Sequence, residues 1–393
     1  MRNVTAAIEF GTSKVMCVIG RKRSAGRFEV LGAGEAKYEG IKNGQWQSPS
    51  NVEEAVAKAI EFAEKRARKR IKEAFVGVPG AFCKVVCREG CVAVETGRVA
   101  DTHIEMLIGD AEKDYDDSRY CVINSTPVYF VLGDGNYYID AEGAAANELT
   151  GMVSMVFASN EYIEDVSEVF LRLGVKISAF LPDILAESMF LVPAEERDLS
   201  AVLLNIGYYD TNVTVVYGDA IVYNKTIYAG GMHISNDLSI VLNMPLDMAE
   251  QIKKRYSFGL ESSGAKLYDY AKHKTGKLER FAHSLVSEII DARVEHLCML
   301  ICAALEQSPL DIARRTRIFL SGGGLSMIKG VKETLQKHLK RQVRIPGIEA
   351  PQLSTPSCYT ALALLDYVFD AGIIISRKSG MAMLERLSTK MFD

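Results

Sequence analysis

Apolar residues crowd two runs near the amino terminus, "TAAIEF" (Thr5–Phe10) and "VMCVIG" (Val15–Gly20), separated by a turn at Gly11–Lys14. The pattern predicts two strands joined tightly, and "RFEVLGAGEAKYEG" continues the same sheet. Then the period changes. In "SNVEEAVAKAIEFAEKRARKR" apolar residues recur at helical spacing, Ser50 or Asn51 is the expected cap, and Glu53 and Glu54 occupy the first turn. Short strands, "AFVGVPG", "KVVCREGCVAVET", "YCVINSTPVYFVLG" and "MVSMVFA", surround one helical stretch starting near Asp101, so residues from about Phe75 to Phe157 read as an inserted α+β unit. A helix, "EYIEDVSEVFLRLG", a strand, "KISAFLP", and a helix, "DILAESMFLV", complete the first half.

From Ala201 the order partly recurs. "AVLLNIGYYDTNVTVVYGDAIVYNKTIYAGG" is again a strand meander, and helical patterns follow from "ISNDLSIVL", an internal repeat of topology. "PLDMAEQIKKRYSFG" and the long amphipathic "RFAHSLVSEIIDARVEHLCMLICAAL" predict helices, with a polar hairpin or loop, "ESSGAKLYDYAKHKTGKL", between them. "RIFLSGGGLSMIKGV" then sets a strand directly before Gly322, Gly323 and Gly324 and a helix start, where backbone can approach a ligand or simply turn tightly.

Composition narrows the class. A chain of 393 residues with ordinary apolar and charged fractions supports two to four compact units. Its formal charge of −4 offers no whole-chain attraction to nucleic acid, and the basic run "KRARKRIK" (Lys65–Lys72) reads as a solvated helix face. Neither a signal peptide nor a transmembrane run of roughly 18 apolar residues is present, so a cytoplasmic location is expected. Eight cysteines fit reduced thiols. Cys83, Cys87 and Cys91 lack the paired spacing and histidines of a zinc site and read as small buried residues. The six histidines are scattered, and no catalytic residues can be grouped.

These pieces together resemble the actin-like ATPase superfamily, and within it the bacterial cell-division FtsA proteins. "EFGTSK" resembles that family's first phosphate hairpin, usually Asp-Ile-Gly-Thr-Ser-Lys. "YAGGMHISNDLSIVLNMPLDMAEQIKKRYSFG" resembles its Gly-Gly-Asp-His-Ile-Thr-Asn-Asp segment and Glu-x-x-Lys helix, "IIDARVEHL" its Ile-Ile-Glu-Pro-Arg-x-Glu, and "LSGGGLSMIKG" its adenosine motif Leu-Thr-Gly-Gly. The match is ordered and spans almost the whole chain. A PilM-like pilus-assembly protein shares the insertion and is the competing resemblance; an active actin-like ATPase is the other alternative.

The resemblance implies an α/β fold, a duplicated actin-like (ribonuclease-H-like) fold with an inserted FtsA-type α+β subdomain. It divides the chain into subdomain IA (1–74 with 158–198 and about 356–371), the insertion (75–157), IIA (199–232 with 313–355), IIB (233–312), a linker (372–380) and an amphipathic tail (381–393). It also implies ATP with Mg2+. Gly11, Thr12, Ser13 and Lys14 would face the phosphates, with Gly207 and Thr211 from the second hairpin; Glu9 would act on the metal or, failing that, be an edge-strand surface acid. Glu250 and Lys253 would contact ribose or base, or form a surface pair, and Gly230, Gly231 and Gly322–Gly324 would line the adenosine slot.

The second hairpin departs from the family pattern. Asp-Ile-Gly-Gly-Gly-Thr-Thr-Asp has become Asn205, Ile206, Gly207, Tyr208, Tyr209, Asp210, Thr211, Asn212, which opposes a magnesium polyphosphate through bulk and charge. At most a weak ATPase is expected. In the tail, Met383, Leu384, Leu387 and Met391 share one helical face with Met381 and Phe392 beyond its edge, which suits a membrane interface or docking on protein. As an FtsA-like protein, the chain is expected to bind the carboxy-terminal peptide of FtsZ, itself, other division proteins and the cytoplasmic face of the membrane at the division site, and no nucleic acid.

Overall fold

Two runs of strand, strand, strand, helix, strand organise the computed structural model, which describes residues 4–23, 28–47, 49–113, 115, 117–259, 267–271, 278–310, 312, 315–348 and 353–370. The first run is β1 (Val4–Phe10), β2 (Lys14–Lys22) and β3 (Phe28–Lys37), a small hairpin of β4 (Ile41–Lys42) and β5 (Gln45–Trp46), then α1 (Pro49–Ala67) and β6 (Glu73–Val78). The inserted unit is β7 (Cys83–Ala93), α2 (Asp101–Glu112), β8 (Tyr120–Val131), β9 (Tyr137–Tyr138) and β10 (Glu148–Ser159). α3 (Asn160–Leu173), β11 (Lys176–Pro182), α4 (Asp183–Leu191) and α5 (Ala194–Arg197) close the half.

The second run is β12 (Ala201–Ile206), β13 (Thr211–Tyr217) and β14 (Ala220–Ile227), then α6 (Gly231–Val241) and α7 (Leu246–Arg255). β15 (Leu267–Ala271) pairs antiparallel with β16 (Leu278–Ala282), so the polar stretch there contains a hairpin. α8 (His283–Glu306), β17 (Ile318–Ser321), α9 (Val331–Leu339), β18 (Val343–Arg344) and α10 (Tyr359–Asp370) follow. One sheet is ordered β11-β6-β1-β2-β3 and the other β18-β17-β12-β13-β14. Position for position these match, which gives the duplicated actin-like α/β plan its structural form. By internal contacts the chain forms two units: described residues up to Ala201 with Thr214–Lys225 and α10, and Val202–Val213 with Thr226–Cys358.

In the first sheet β1 pairs antiparallel with β2 and parallel with β6, and β6 is parallel to β11. β1 is central, so its run from Ala6 to Phe10 is buried on both faces, as the apolar sequence around Glu9 requires. α1 lies on β2 and β3. A Cβ at Gly34 would stand 2.1 Å from the Ala59 carbonyl oxygen, and one at Gly32 2.4 Å from that of Ala63, so both glycines admit the helix backbone. The helix opens at Pro49 rather than behind Ser50 or Asn51. Proline serves there because a first-turn N–H has no intrahelical partner.

The inserted sheet is ordered β7-β10-β8-β9. α2 covers the face that carries Gly90 and Gly151, both against Leu107. Cys83, Cys87 and Cys91 lie on the opposite face of β7, an outer strand, which corrects the expectation that they are buried: Cys91 is exposed and the other two are half-buried. That face meets β14, where the Cys87 thiol points at the Val222 carbonyl (3.7 Å) and the Ser154 hydroxyl donates to that of Ile221. Side-chain donors thus satisfy carbonyls of an outermost strand.

Because α1 sits where two Cβ atoms are missing, Gly34→Ala should cost about 2 kcal/mol of stability through overpacking. Urea unfolding checks this; an unchanged midpoint would contradict the close helix approach.

Candidate functional site

Each unit carries one hairpin of the expected pair. In the first, the turn between β1 and β2 is closed by the Gly11 amide donating to the Lys14 carbonyl (2.9 Å). The Tyr38 hydroxyl donates to the Gly11 carbonyl (2.7 Å), and the Tyr38 amide to that of Ser13 (3.2 Å). Thr12 is buried, and Lys14 reaches Glu35 at 2.6 Å. Beneath the turn, the single tryptophan, Trp46, stacks on Tyr162 (5.8 Å, 14°) and Phe82 (5.9 Å, 28°) and meets Phe10 edge-on. The Tyr162 hydroxyl donates to Gly77 (2.6 Å), which satisfies a fully buried ring's polar end.

Glu9 is not an edge-strand surface acid. It lies on the central strand, 9% exposed, with Oε2 lacking a hydrogen-bond partner. Burial pushes its carboxyl up to about 7; Lys14 opposes that, and Glu187 and Glu35 add to it. Asp183 and Glu187, one turn apart on α4, complete a buried acidic group that the sequence reading passed over. Burial, then Glu9 and Glu187, raise Asp183 well above the usual carboxylate range, and its Oδ1 has no partner. Two acids at i,i+4 in the otherwise apolar "DILAESMFLV" were the available signal.

In the second unit the expected residues assemble around the turn Gly207–Asp210. The Gly207 amide donates to the Asp210 carbonyl (2.8 Å). The carbonyls of Ile206, Gly207 and Tyr208 accept from the amides of Gly324 (2.8 Å), Gly231 (2.9 Å) and Met232 (2.8 Å). The glycines admit this backbone: Cβ atoms would stand 2.6 Å from the Gly207 oxygen at Gly230 and 2.2 Å from it at Gly324, and at Gly231 2.6 Å from the Gly324 oxygen. Gly322 takes φ +81° beside Asn205 and Ile206, and a Cβ at Gly323 would meet Ser357. Thr211 is buried, its hydroxyl donating to Ala229 (2.7 Å). The rings of Tyr208 and Tyr209 pack edge-to-face at 4.8 Å.

Glu250 and Lys253 are not a surface pair. Lys253 is 2% exposed; its ammonium reaches Glu250 (2.7 Å) and donates to the Gly231 carbonyl (2.8 Å), while Ser235 donates to Glu250 (2.5 Å). Burial pulls Lys253 below the usual amine range against the pull of Glu250. Asp210, whose charge is expected to repel phosphate, is buried, and desolvation pushes its carboxyl up to about 7. That weakens the repulsion at neutral pH.

The two halves fit the implied Mg-ATP unequally. The first offers a small hydroxylated turn and an orphaned Glu9 oxygen, suited to a hydrated cation. Among the described residues no three His, Cys, Asp or Glu side chains are grouped to hold a metal directly. In the second half, the gaps left by Gly230, Gly231 and Gly324 are filled by the protein's own backbone, and the Lys253 ammonium is engaged internally. The tail residues Met381, Met383, Leu384, Leu387, Met391 and Phe392 lie outside the described residues.

Solved structures with this plan include the PilM-PilN type IV pilus biogenesis complex (TM-score 0.62, 16% identity, 92% of this chain and 97% of that one). MreB5 of Spiroplasma citri bound to AMPPNP is another (TM-score 0.59, 10% identity, 95% and 98%). The fold is that of the actin-like ATPases. The family profile described as "Cell division protein FtsA" matches residues 202–363. Proteins of that name from Neisseria meningitidis serogroup B (25% identical, 97% of this chain and 96% of the relative) and Bacillus subtilis (22%, 96% and 86%) align over nearly the full length. The chain is thus similar to FtsA cell-division proteins over nearly its whole length and shares the fold of the actin-like ATPases.

The buried Asp210 gives a pH signature. Its folded pKa exceeds the unfolded one, so its contribution to stability is complete below about 4, where both states are protonated, and is lost as pH rises to about 7. Between pH 5 and pH 8 this group should therefore cost the protein on the order of 3 kcal/mol. Asp210→Asn should remove that slope in urea unfolding; a variant with the parent's pH dependence would contradict the assignment.

Proposed function

We propose that the chain is a cytoplasmic adaptor that tethers FtsZ filaments to the inner face of the membrane at the division site, recruits other division proteins and assembles with itself. The observation that carries this is the near-full-length likeness to FtsA proteins. The described residues contain no helix long and apolar enough to cross a membrane, and in this reading the amphipathic stretch 381–393 makes the attachment. FtsZ's carboxy-terminal peptide would lie along α6 and α8. There Arg293 clamps Asp237 (2.5 and 2.8 Å), and Ile240, Val241 and Met299 are exposed at 70%, 58% and 59%. Exposed apolar side chains on a helix face suit a short hydrophobic peptide.

The second nucleotide half serves as scaffold in this proposal. Internal engagement of the glycines and of Lys253 supports weak or absent ATP binding and hydrolysis at background. A pilus-type adaptor is the second reading, favoured by the likeness of the fold to the PilM-PilN complex.

Two outcomes check these statements. The FtsZ peptide should bind the full chain in fluorescence anisotropy, and Ile240→Lys should weaken it at least about fivefold. No binding of that peptide, with binding of a PilN peptide instead, would transfer the assignment to the pilus reading. Trp46, beside the first turn, should report nucleotide through its fluorescence. Mg-ATP should give no saturable change in the low-micromolar range, on the order of −8 kcal/mol; saturation there would overturn the degenerate second half. Tyr208→Gly with Tyr209→Gly and Asn205→Asp should raise affinity if bulk and charge are the obstacle.

A further inference from the structure

The basic run Lys65–Lys72 ends α1 and continues through the loop into β6. Register fixes where that end lies. Because Gly32 faces Ala63 and Ala67 while Gly34 faces Ala59 and Ala63, α1 runs opposite to β3, and its last turn lies toward Phe28. Phe28 pairs with Lys22, and Arg21 pairs with Val4, so the end of β2 and the starts of β1 and β3 are at this same end. The Lys176 amide donates to the Lys72 carbonyl (2.9 Å) and Lys176 is paired with Glu73, which adds the starts of β6 and β11.

One end of the first sheet therefore gathers Arg21–Arg23, the run Lys65–Lys72 and Lys176, whose cations are all exposed. They outnumber the acids beside them. Glu29 is shared between Arg21 (2.7 Å) and Arg23 (3.1 Å), Glu64 takes the Ile71 amide (2.7 Å), and Glu73 faces Lys176.

The last described helix finishes at the same place. The Phe369 carbonyl accepts from the Lys22 ammonium (2.5 Å), and Phe369 meets the ring of Phe28 at 6.2 Å. The described chain therefore ends beside this basic cluster, and the stretch 381–393 follows it in sequence.

We propose that this end of the first sheet is a docking surface for an anionic lipid bilayer. The inference rests on the membrane-tether reading and adds a second contact to it. A short amphipathic segment alone gives reversible attachment, and stable anchoring takes a second signal such as a polybasic patch. Each cation within a Debye length of an anionic surface adds attraction. Adjacency to an apolar-striped segment selects a bilayer over a nucleic acid, which offers that stripe nothing.

The test uses the full chain with vesicles of phosphatidylcholine alone and of phosphatidylcholine mixed with phosphatidylglycerol. A triple variant, Lys69→Gln with Arg70→Gln and Lys72→Gln, changes only exposed residues of the loop. It should lose at least about tenfold in affinity for the anionic vesicles, match the parent on neutral ones, and show a shallower salt dependence than the parent. Parent-like binding of the triple variant to anionic vesicles at low salt, with release of Leu384→Glu/Leu387→Glu, would overturn the surface and leave the tether standing. If instead the tail variant binds like the parent, the tether reading fails; loss in the triple variant would then still support the surface. Tighter binding of a short DNA duplex than of anionic vesicles, abolished in the triple variant, would overturn the lipid assignment.

Discussion

Three consecutive carbonyls, Ile206 to Tyr208, accept from three amides that arrive from two directions, Gly324 from the loop after β17 and Gly231 and Met232 from the start of α6. The arrangement works only because the arriving residues at the closest points have no Cβ. It fixes the hairpin to the strand and helix that follow it in space, and α7 is then held to the same point by the Lys253 ammonium on the Gly231 carbonyl. Removing Glu250 would leave that buried ammonium without its carboxylate, a costlier loss than the pair's own net contribution.

The same contact decides how the two halves differ. At the first turn the Gly11 amide closes the hairpin on itself, a tyrosine hydroxyl holds its carbonyl, and Glu9 Oε2 and Asp183 Oδ1 are buried without hydrogen-bond partners. At the second, helix and loop amides that elsewhere can receive an anion are spent on carbonyls, so the motif is used to pack protein against protein. One duplicated plan has thus kept a polar, unsatisfied cradle in one copy and a satisfied one in the other.

Much of the fold was legible from periodicity: the two strand meanders, the insertion and the helices α1, α3, α7 and α8 follow from spacing of apolar residues. The start of α1 was missed by one or two residues because proline at a first turn competes with a following serine or asparagine. The cysteines of β7 were read as buried because composition does not say which face of an outer strand is covered. That other backbone stands where a Cβ would be at Gly230, Gly231 and Gly324 is a long-range relation that the sequence does not show. Asp183 and Glu187 were passed over because their proximity to Glu9 depends on α4 following a parallel strand, a long-range relation.

The proposed linking function places the demand on two surfaces: the α6–α8 face for a peptide and the basic end of the first sheet for lipid. The most direct measurement is recruitment of FtsZ polymer to anionic vesicles by the full chain, followed by sedimentation with and without ATP for the chain itself. The account predicts recruitment that depends on the chain and is the same whether or not its nucleotide site is offered ATP. Polymer that stays in solution, or that is recruited only when the chain is given ATP, would contradict it.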